Sequence, residues 1–290
     1  MRVSEAYGPG KFGLSFELYP PKSAPAEHEL FEHLGQLMLF EPSFVTCTYG
    51  AGGSTRTKTL DIVERVRRDF GASVAAHLTC VGSTAEDLRT FLADAARRGI
   101  ENIVALRGDP PRDQTHFTPV EGGFCYASEL VSFIRGEFPE FGIAVAGYPE
   151  THRESPSPGD DLANLRRKVD AGGDVVITQL FYSNDDFFRF RDRCTEVGIS
   201  TPIVPGLLPV TNLAQIQRIT TLCGARLPAE FTRGLEAQQA SAEGQFRVGV
   251  DFAVAQLQEL VDAGVPGVHF YVLNKSPATA AILRQVALPR

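Results

Sequence analysis

The chain has 290 residues, 43% hydrophobic and 22% charged, the range of an ordinary globular protein and not of a disordered one. Its 28 basic and 35 acidic residues leave a formal net charge of −7, which argues against nucleic-acid binding, since that needs a basic surface to displace phosphate counterions. Five scattered cysteines form no CxxC pair, residues 1–11 hold no apolar signal run, and no stretch reaches the ~18 apolar residues of a membrane span, so a reducing, cytoplasmic setting is expected.

Short runs rich in β-branched and aromatic residues begin the pattern at 12–18 and recur at 43–48, 73–79, 102–106, 142–147, 174–179, 202–205 and 267–273. Most are spaced by roughly 30 residues, the length of one strand–helix unit. Several are apolar without alternation, as expected of strands buried on both faces. Helical periodicity fills the gaps. Leu60, Val63, Val66 and Phe70 share one face, as do Phe187, Phe190, Cys194 and Val197, and Val250, Ala253, Leu257, Leu260 and Val261 form a longer stripe. Thr84 with Asp87 resembles a capping box, and Asn184 precedes two acids as a helix cap would. Gly71, Gly99, Gly142, Gly172, Gly198 and Gly264 stand where helices should stop. Eight such units predict an α/β fold, a (β/α)8 barrel forming one domain over residues 1–290. The gap from 205 to 267 is too long for one unit and predicts an extra helical excursion near 228–239.

Barrel enzymes keep their chemistry at the C-terminal strand ends and in the loops that follow. Reading those positions gives Glu17, Thr48 and Tyr49, His77 and Thr79, Arg107 and Asp109, Tyr148 and Glu150, Thr178 and Gln179, and Tyr271 and Asn274, with Pro205 to Pro209 as a shaped wall. Polar groups buried without partners would cost ~1–3 kcal/mol each, so a whole ring of them is hard to explain by packing. Glu17 stands out, because apolar neighbours suit a carboxyl to hold and donate a proton. Its alternative reading is an ion pair with Arg or Lys across the mouth. Asp109 alone reads as a turn residue, and the glycine-rich stretch 50–55 as a weak anion-binding signal. Arg166, Arg167 and Lys168 lie on a helix expected to start near Asp161, either as a solvated face or as an anion site. None of the six histidines, His28, His33, His77, His116, His152 and His269, has metal-site spacing, so no metal site is expected.

Residues 15–21, Val45-Thr46-Cys47-Thr48-Tyr49-Gly50, His77-Leu78-Thr79-Cys80, 105–110, Gly147-Tyr148-Pro149-Glu150, Arg167-Lys168-Val169-Asp170-Ala171-Gly172, 177–181 and His269-Phe270-Tyr271 together resemble the bacterial methylenetetrahydrofolate reductase family, in order and over nearly the whole chain. The resemblance implies a flavin-bearing barrel that works by ping-pong. NADH or NADPH reduces FAD, and 5,10-methylenetetrahydrofolate is then reduced to 5-methyltetrahydrofolate, feeding methionine synthesis. It implies that Glu17 is the general acid, that Asp109 is a carboxylate near flavin and pterin, and that Gln179, Tyr271 and Lys275 contact substrate. By the same resemblance Thr48, His77, Arg107, Gly108, Asp109, Tyr126, Ala127, Tyr148, His152, Asp161, Asn164, Arg167 and Lys168 contact FAD. A homo-oligomer without a C-terminal regulatory domain is implied as well. Leu213 stands where some relatives carry a Phe, Lys275 where some carry an Arg, and Gly173 where an alanine is usual. The competing readings are another flavin-dependent barrel oxidoreductase, and a folate- or flavin-binding subunit of a larger complex.

Overall fold

The unbroken apolar runs do form strands buried on both faces. The computed structural model describes residues 1–8, 10–49, 56–110 and 117–289. The glycine-rich stretch 50–55 and His116 lie outside them. Among the described residues nine parallel strands make one sheet in a nearly closed barrel: β1 (Gly13–Leu18), β2 (Phe44–Cys47), β3 (Val74–Thr79), β4 (Asn102–Leu106), β5 (Gly142–Gly147), β6 (Val175–Thr178), β7 (Ile203–Val204), β8 (Gly206–Leu207) and β9 (Gly267–Tyr271). Their order is β7-β6-β5-β4-β3-β2-β1-β9-β8.

Eight strands were expected, and the seventh is split. Pro205 has no N–H to give the ladder, so β7 pairs with β6 while β8 pairs with β9. The carbonyl of Pro205 still accepts from His269 N at 2.9 Å and bridges the break. The run expected to reach 273 ends at Tyr271, because Leu273 and Asn274 take positive φ of 48° and 56°. Asn274 then clasps Tyr19, accepting from its N–H and donating to its C=O, both at 2.9 Å.

Among the described residues ten α-helices cover the outside: α1 (Ala24–Met38), α2 (Arg56–Phe70), α3 (Ala85–Arg97), α4 (Ala127–Glu137), α5 (Pro158–Asp170), α6 (Asn184–Glu196), α7 (Leu213–Cys223), α8 (Ala229–Ala237), α9 (Ala242–Asp262) and α10 (Pro277–Leu283). The capping box at α3 forms in both directions, at 3.1 Å to Asp87 N and 2.9 Å from Thr84 N. Three local expectations are corrected. Ser183, not Asn184, stands at the N-cap position of α6, without a side-chain bond to the helix, and the Asn184 amide donates to Gln256 O and Glu259 on α9. Helix α5 starts at Pro158, three residues before Asp161, because Ser157 caps it. Gly142 ends no helix but begins β5; a Cβ there would lie 2.3 Å from Asn102 Oδ1, the acceptor for Val3 N.

The expected excursion is α8. Phe231 and Leu235 anchor it in a cluster with Tyr182, Leu208 and Val210, and the Phe231 and Phe252 rings stack. Inside the barrel, Phe44, Ala75, Val104, Ala144, Val175, Ile177 and Val204 form an apolar layer, and a 3-10 helix (Val3–Tyr7) closes its N-terminal end with Val3, Ala6 and Tyr7. Burying each large side chain of this kind contributes roughly 1.5–3 kcal/mol. Side chains alternate along a strand, so residues two steps toward the C-terminal end face the same interior one layer higher. On β1, β2, β3 and β9 the positions at that level carry Glu17, Thr46, His77 and Tyr271, and they position the site.

Candidate active site

Glu17, next to last on β1, sits in register with Thr46 of β2 and Tyr271 of β9. Its side chain is only 18% exposed. No Arg or Lys pairs with it among the described residues. Two imidazoles flank it instead: His77 Nε2 lies 3.4 Å and His269 Nε2 3.6 Å from the same oxygen, Oε2. Burial pushes the His77 imidazole below its ordinary pKa, opposed by the charge of Glu17, so His77 is a neutral neighbour. Its buried Nε2 makes no hydrogen bond, and neither do the buried hydroxyls of Thr46 and Thr79. Beneath Glu17, His269 Nδ1 meets Ser15 Oγ at 2.8 Å, and Ser15 Oγ meets Tyr7 OH at 3.3 Å.

Tyr271 closes one side. Its hydroxyl donates to Thr178 O at 2.6 Å, and its ring packs edge-on against His269. Gly206 makes this possible, since a Cβ there would stand 2.2 Å from Thr178 O and 2.7 Å from the Tyr271 ring. Gln179 lines a shallow pocket with Tyr148, Glu150 and Cys223, and its Oε1 accepts from Leu180 N. Glu150 is engaged elsewhere. It holds Arg226, at 2.9 Å from Nε, and ties the α7–α8 connection to the end of β5.

The cations gather on the opposite side, after β4 and β5. Arg107 forms a two-pronged pair with Glu154 at 2.7 and 2.9 Å. The Tyr148 and His152 rings meet edge-on with centroids 4.6 Å apart. Asp161 accepts from His152 N and Ser155 Oγ, and Lys168 donates to Ala146 O and lies 5.8 Å from the Tyr148 ring centre. Burial pulls the Lys168 ammonium down to about 8. Only this member of the basic run turns inward. Arg166 reaches Val197 O and Arg167 reaches Asn164, both from exposed positions. Gly108 turns with φ +87° and Asp109 beside it is exposed. Tyr126 is 61% exposed at the start of α4, just before Ala127, while Thr48 hangs from Leu18 O beyond β2. Lys275 is exposed beyond β9, and Leu213 is buried in the α7–α8 cluster.

The mouth thus holds a glutamate, a tyrosine in register with it on the neighbouring strand, and a bank of cations after β4 and along α5. The methylenetetrahydrofolate reductase family model matches residues 2–287. The chain belongs to that family. It is 39% identical to 5,10-methylenetetrahydrofolate reductase of Escherichia coli (strain K12), covering 94% of this chain and 90% of that protein. It is 37% identical to methylenetetrahydrofolate reductase (NADH) 1 of Zea mays, over 99% of this chain and 50% of the plant protein. The chain thus spans about half the length of its plant relatives. Among solved structures, a Clostridium thermocellum protein described as binding two copies of 5-methyl-5,6,7,8-tetrahydrofolic acid aligns with TM-score 0.61 over 93% of each chain. Its 12% identity shows the shared fold. No helix among the described residues is long and apolar enough to cross a membrane.

Within this family member, reading only strand ends overlooks the residues below them. Ser15 and His269 each lie two positions before a site residue, Glu17 and Tyr271, and alternation puts both on the inner face. That parity was the available signal. Glu154 leaves none, because it lies in an irregular loop after β5.

Proposed function

We propose that the protein reduces 5,10-methylenetetrahydrofolate to 5-methyltetrahydrofolate, using FAD and a nicotinamide cofactor in a ping-pong cycle. The observation that carries this reading is the setting of Glu17: a mostly buried carboxyl at the barrel mouth, flanked by two imidazoles and, among the described residues, by no Arg or Lys, the kind of group that can act as a general acid. Glu17 would give that proton to a nitrogen of the bridged folate, and the ring would open to the reactive iminium. Gln179 and Tyr271 line the same mouth and would orient the pterin. Lys275 would meet the anionic tail of the folate.

The residues present fit FAD. Thr79 Oγ1 is buried without a partner at the end of β3, and Arg107, Lys168 and Arg167 supply positive charge after β4 and along α5. Arg107, Lys168 and His152 would hold its anionic portion, with Thr48, His77, Gly108, Asp109, Tyr126, Ala127, Tyr148, Asp161 and Asn164 around the rest. When bound, FAD would relay hydride from the nicotinamide to the folate. The NADH-named plant relatives support a nicotinamide reductant.

An anaerobic visible spectrum tests the reading. Flavin bands should bleach with NADH or NADPH and return with methylenetetrahydrofolate. Glu17→Gln should leave the bleaching intact and abolish the return. Bleaching without return in the wild type would sink the folate assignment.

A further inference from the structure

The polar column beneath Glu17 has a direction. Tyr7 is buried, and its one polar partner among the described residues is Ser15. Burial pushes the Tyr7 phenol above its ordinary pKa, so it keeps its proton. A buried hydroxyl that donates to nothing costs about 1–3 kcal/mol, so Tyr7 donates to Ser15 Oγ. Ser15 has one proton of its own, and it faces His269 Nδ1 at 2.8 Å. That proton goes to Nδ1. A neutral imidazole whose Nδ1 accepts must carry its hydrogen on Nε2. Nε2 points toward Glu17 Oε2 at 3.6 Å, longer than a hydrogen bond and close enough for a small rotation of Glu17 to complete one.

We propose that Ser15 and His269 are positioning residues for the acid: they hold an N–H against Glu17 Oε2, so that the transferable proton resides on Oε1. This rests on the reading of Glu17 as proton donor. Oε1 has no polar partner among the described residues. Oε2 meets the imidazoles of both His77 and His269. Once the proton has left, the His269 N–H meets a full negative charge, a contact stronger after transfer than before it. Interactions of that kind lower the barrier. The other titratable neighbours are Cys47 and Tyr271, and burial keeps both protonated. Neither competes for the proton.

The first measurement is the tautomer of His269, read from 15N-histidine spectra of the full chain without cofactor. An Nε2–H form in the wild type, lost or mixed in Ser15→Ala, is the expected result. An Nδ1–H form in the wild type overturns the proposal. The second uses the FAD-loaded protein. Ser15→Ala should slow the folate half-reaction at least about tenfold, the weight of one hydrogen bond to a charged group. It should leave nicotinamide oxidation within about twofold and move the alkaline limb of the folate step to higher pH. Ser15→Thr, which keeps the hydroxyl, should restore the rate. Equal slowing of both half-reactions would mark a merely structural role and overturn the proposal. A wild type with the Nε2–H form but no folate turnover would remove the proposed function and leave the column standing.

Discussion

Replacing Lys168 by Met should stabilise the unliganded barrel at neutral pH. Burial pulls the Lys168 ammonium from its ordinary 10.5 to about 8, with Asp161 opposing. The folded-state value is depressed, so the unfolded chain binds this proton more tightly between those limits. Stability therefore rises with pH through the window from about 8 to 10.5, and the penalty is fully present below it. A shift of 10.5 − 8, about 2.5 units at 1.36 kcal/mol each, is a penalty of roughly 3 kcal/mol. Methionine keeps the aliphatic reach, removes the charge and loses the charge-assisted bond to Ala146 O, which offsets about 2 kcal/mol. The net gain is about 1 kcal/mol at pH 7, shrinking to zero by about pH 9 as the wild-type lysine loses its proton. Urea unfolding of both proteins at the two pH values, followed by circular dichroism, measures it. A destabilised variant at pH 7, or a difference that ignores pH, would refute the reasoning. On the proposed reading, added FAD should reverse the order, because its anionic portion would give the wild-type charge a partner that the variant cannot use.

Other outcomes follow from single contacts. Gly206→Ala puts a Cβ against the Thr178 carbonyl and the Tyr271 ring; overpacking of this kind costs about 1–3 kcal/mol, seen as a lower melting temperature, and an unchanged melt would mean that the strand yields freely. Thr84→Ala removes the acceptor for Asp87 N and should cost about 1 kcal/mol in urea unfolding, with no effect if the second half of the box suffices. Glu154→Gln removes the carboxylate that occupies Arg107. It should tighten FAD binding several-fold at low salt in a fluorescence titration, whereas weaker binding would show that Glu154 helps to hold the cofactor.

Much of the fold was legible because it rests on local signals that repeat. The apolar runs, the Thr84–Asp87 box and the long stripe on α9 each fix an element without reference to distant residues. What was illegible depended on a partner far along the chain. Asn184 looks like a cap in sequence, yet its amide is drawn to Gln256 and Glu259 on a helix some seventy residues on. Gly142 looks like a helix stop, and its small size serves Asn102 and Val3 instead. Arg166, Arg167 and Lys168 are equivalent by composition; only the packing of α5 decides that Lys168 alone turns inward. The strand-end rule pointed to Glu17, His77 and Tyr271, which the fold brings to one mouth, but stopped one layer too high to point to Ser15 and His269 beneath them.

The two halves of the mouth have to stay apart. A permanent cation within ~4–6 Å of a carboxyl favours its charged form, and would strip Glu17 of the proton it is proposed to give. Arg107 and Lys168 nevertheless need to be in the same barrel, where they would attract an anionic cofactor. The structure separates the demands by strand. The cations hang from the ends of β4 and from α5, while β1, β3 and β9 carry, above the apolar layer, a carboxyl, two imidazoles and hydroxyls. Arg107 is also drawn outward by Glu154, and the Lys168 ammonium is turned to a backbone carbonyl of β5. An imidazole is the side chain that suits the remaining place beside Glu17. It can offer a hydrogen to the carboxylate after transfer without carrying a charge before it, a combination that neither Arg nor an alkyl side chain provides.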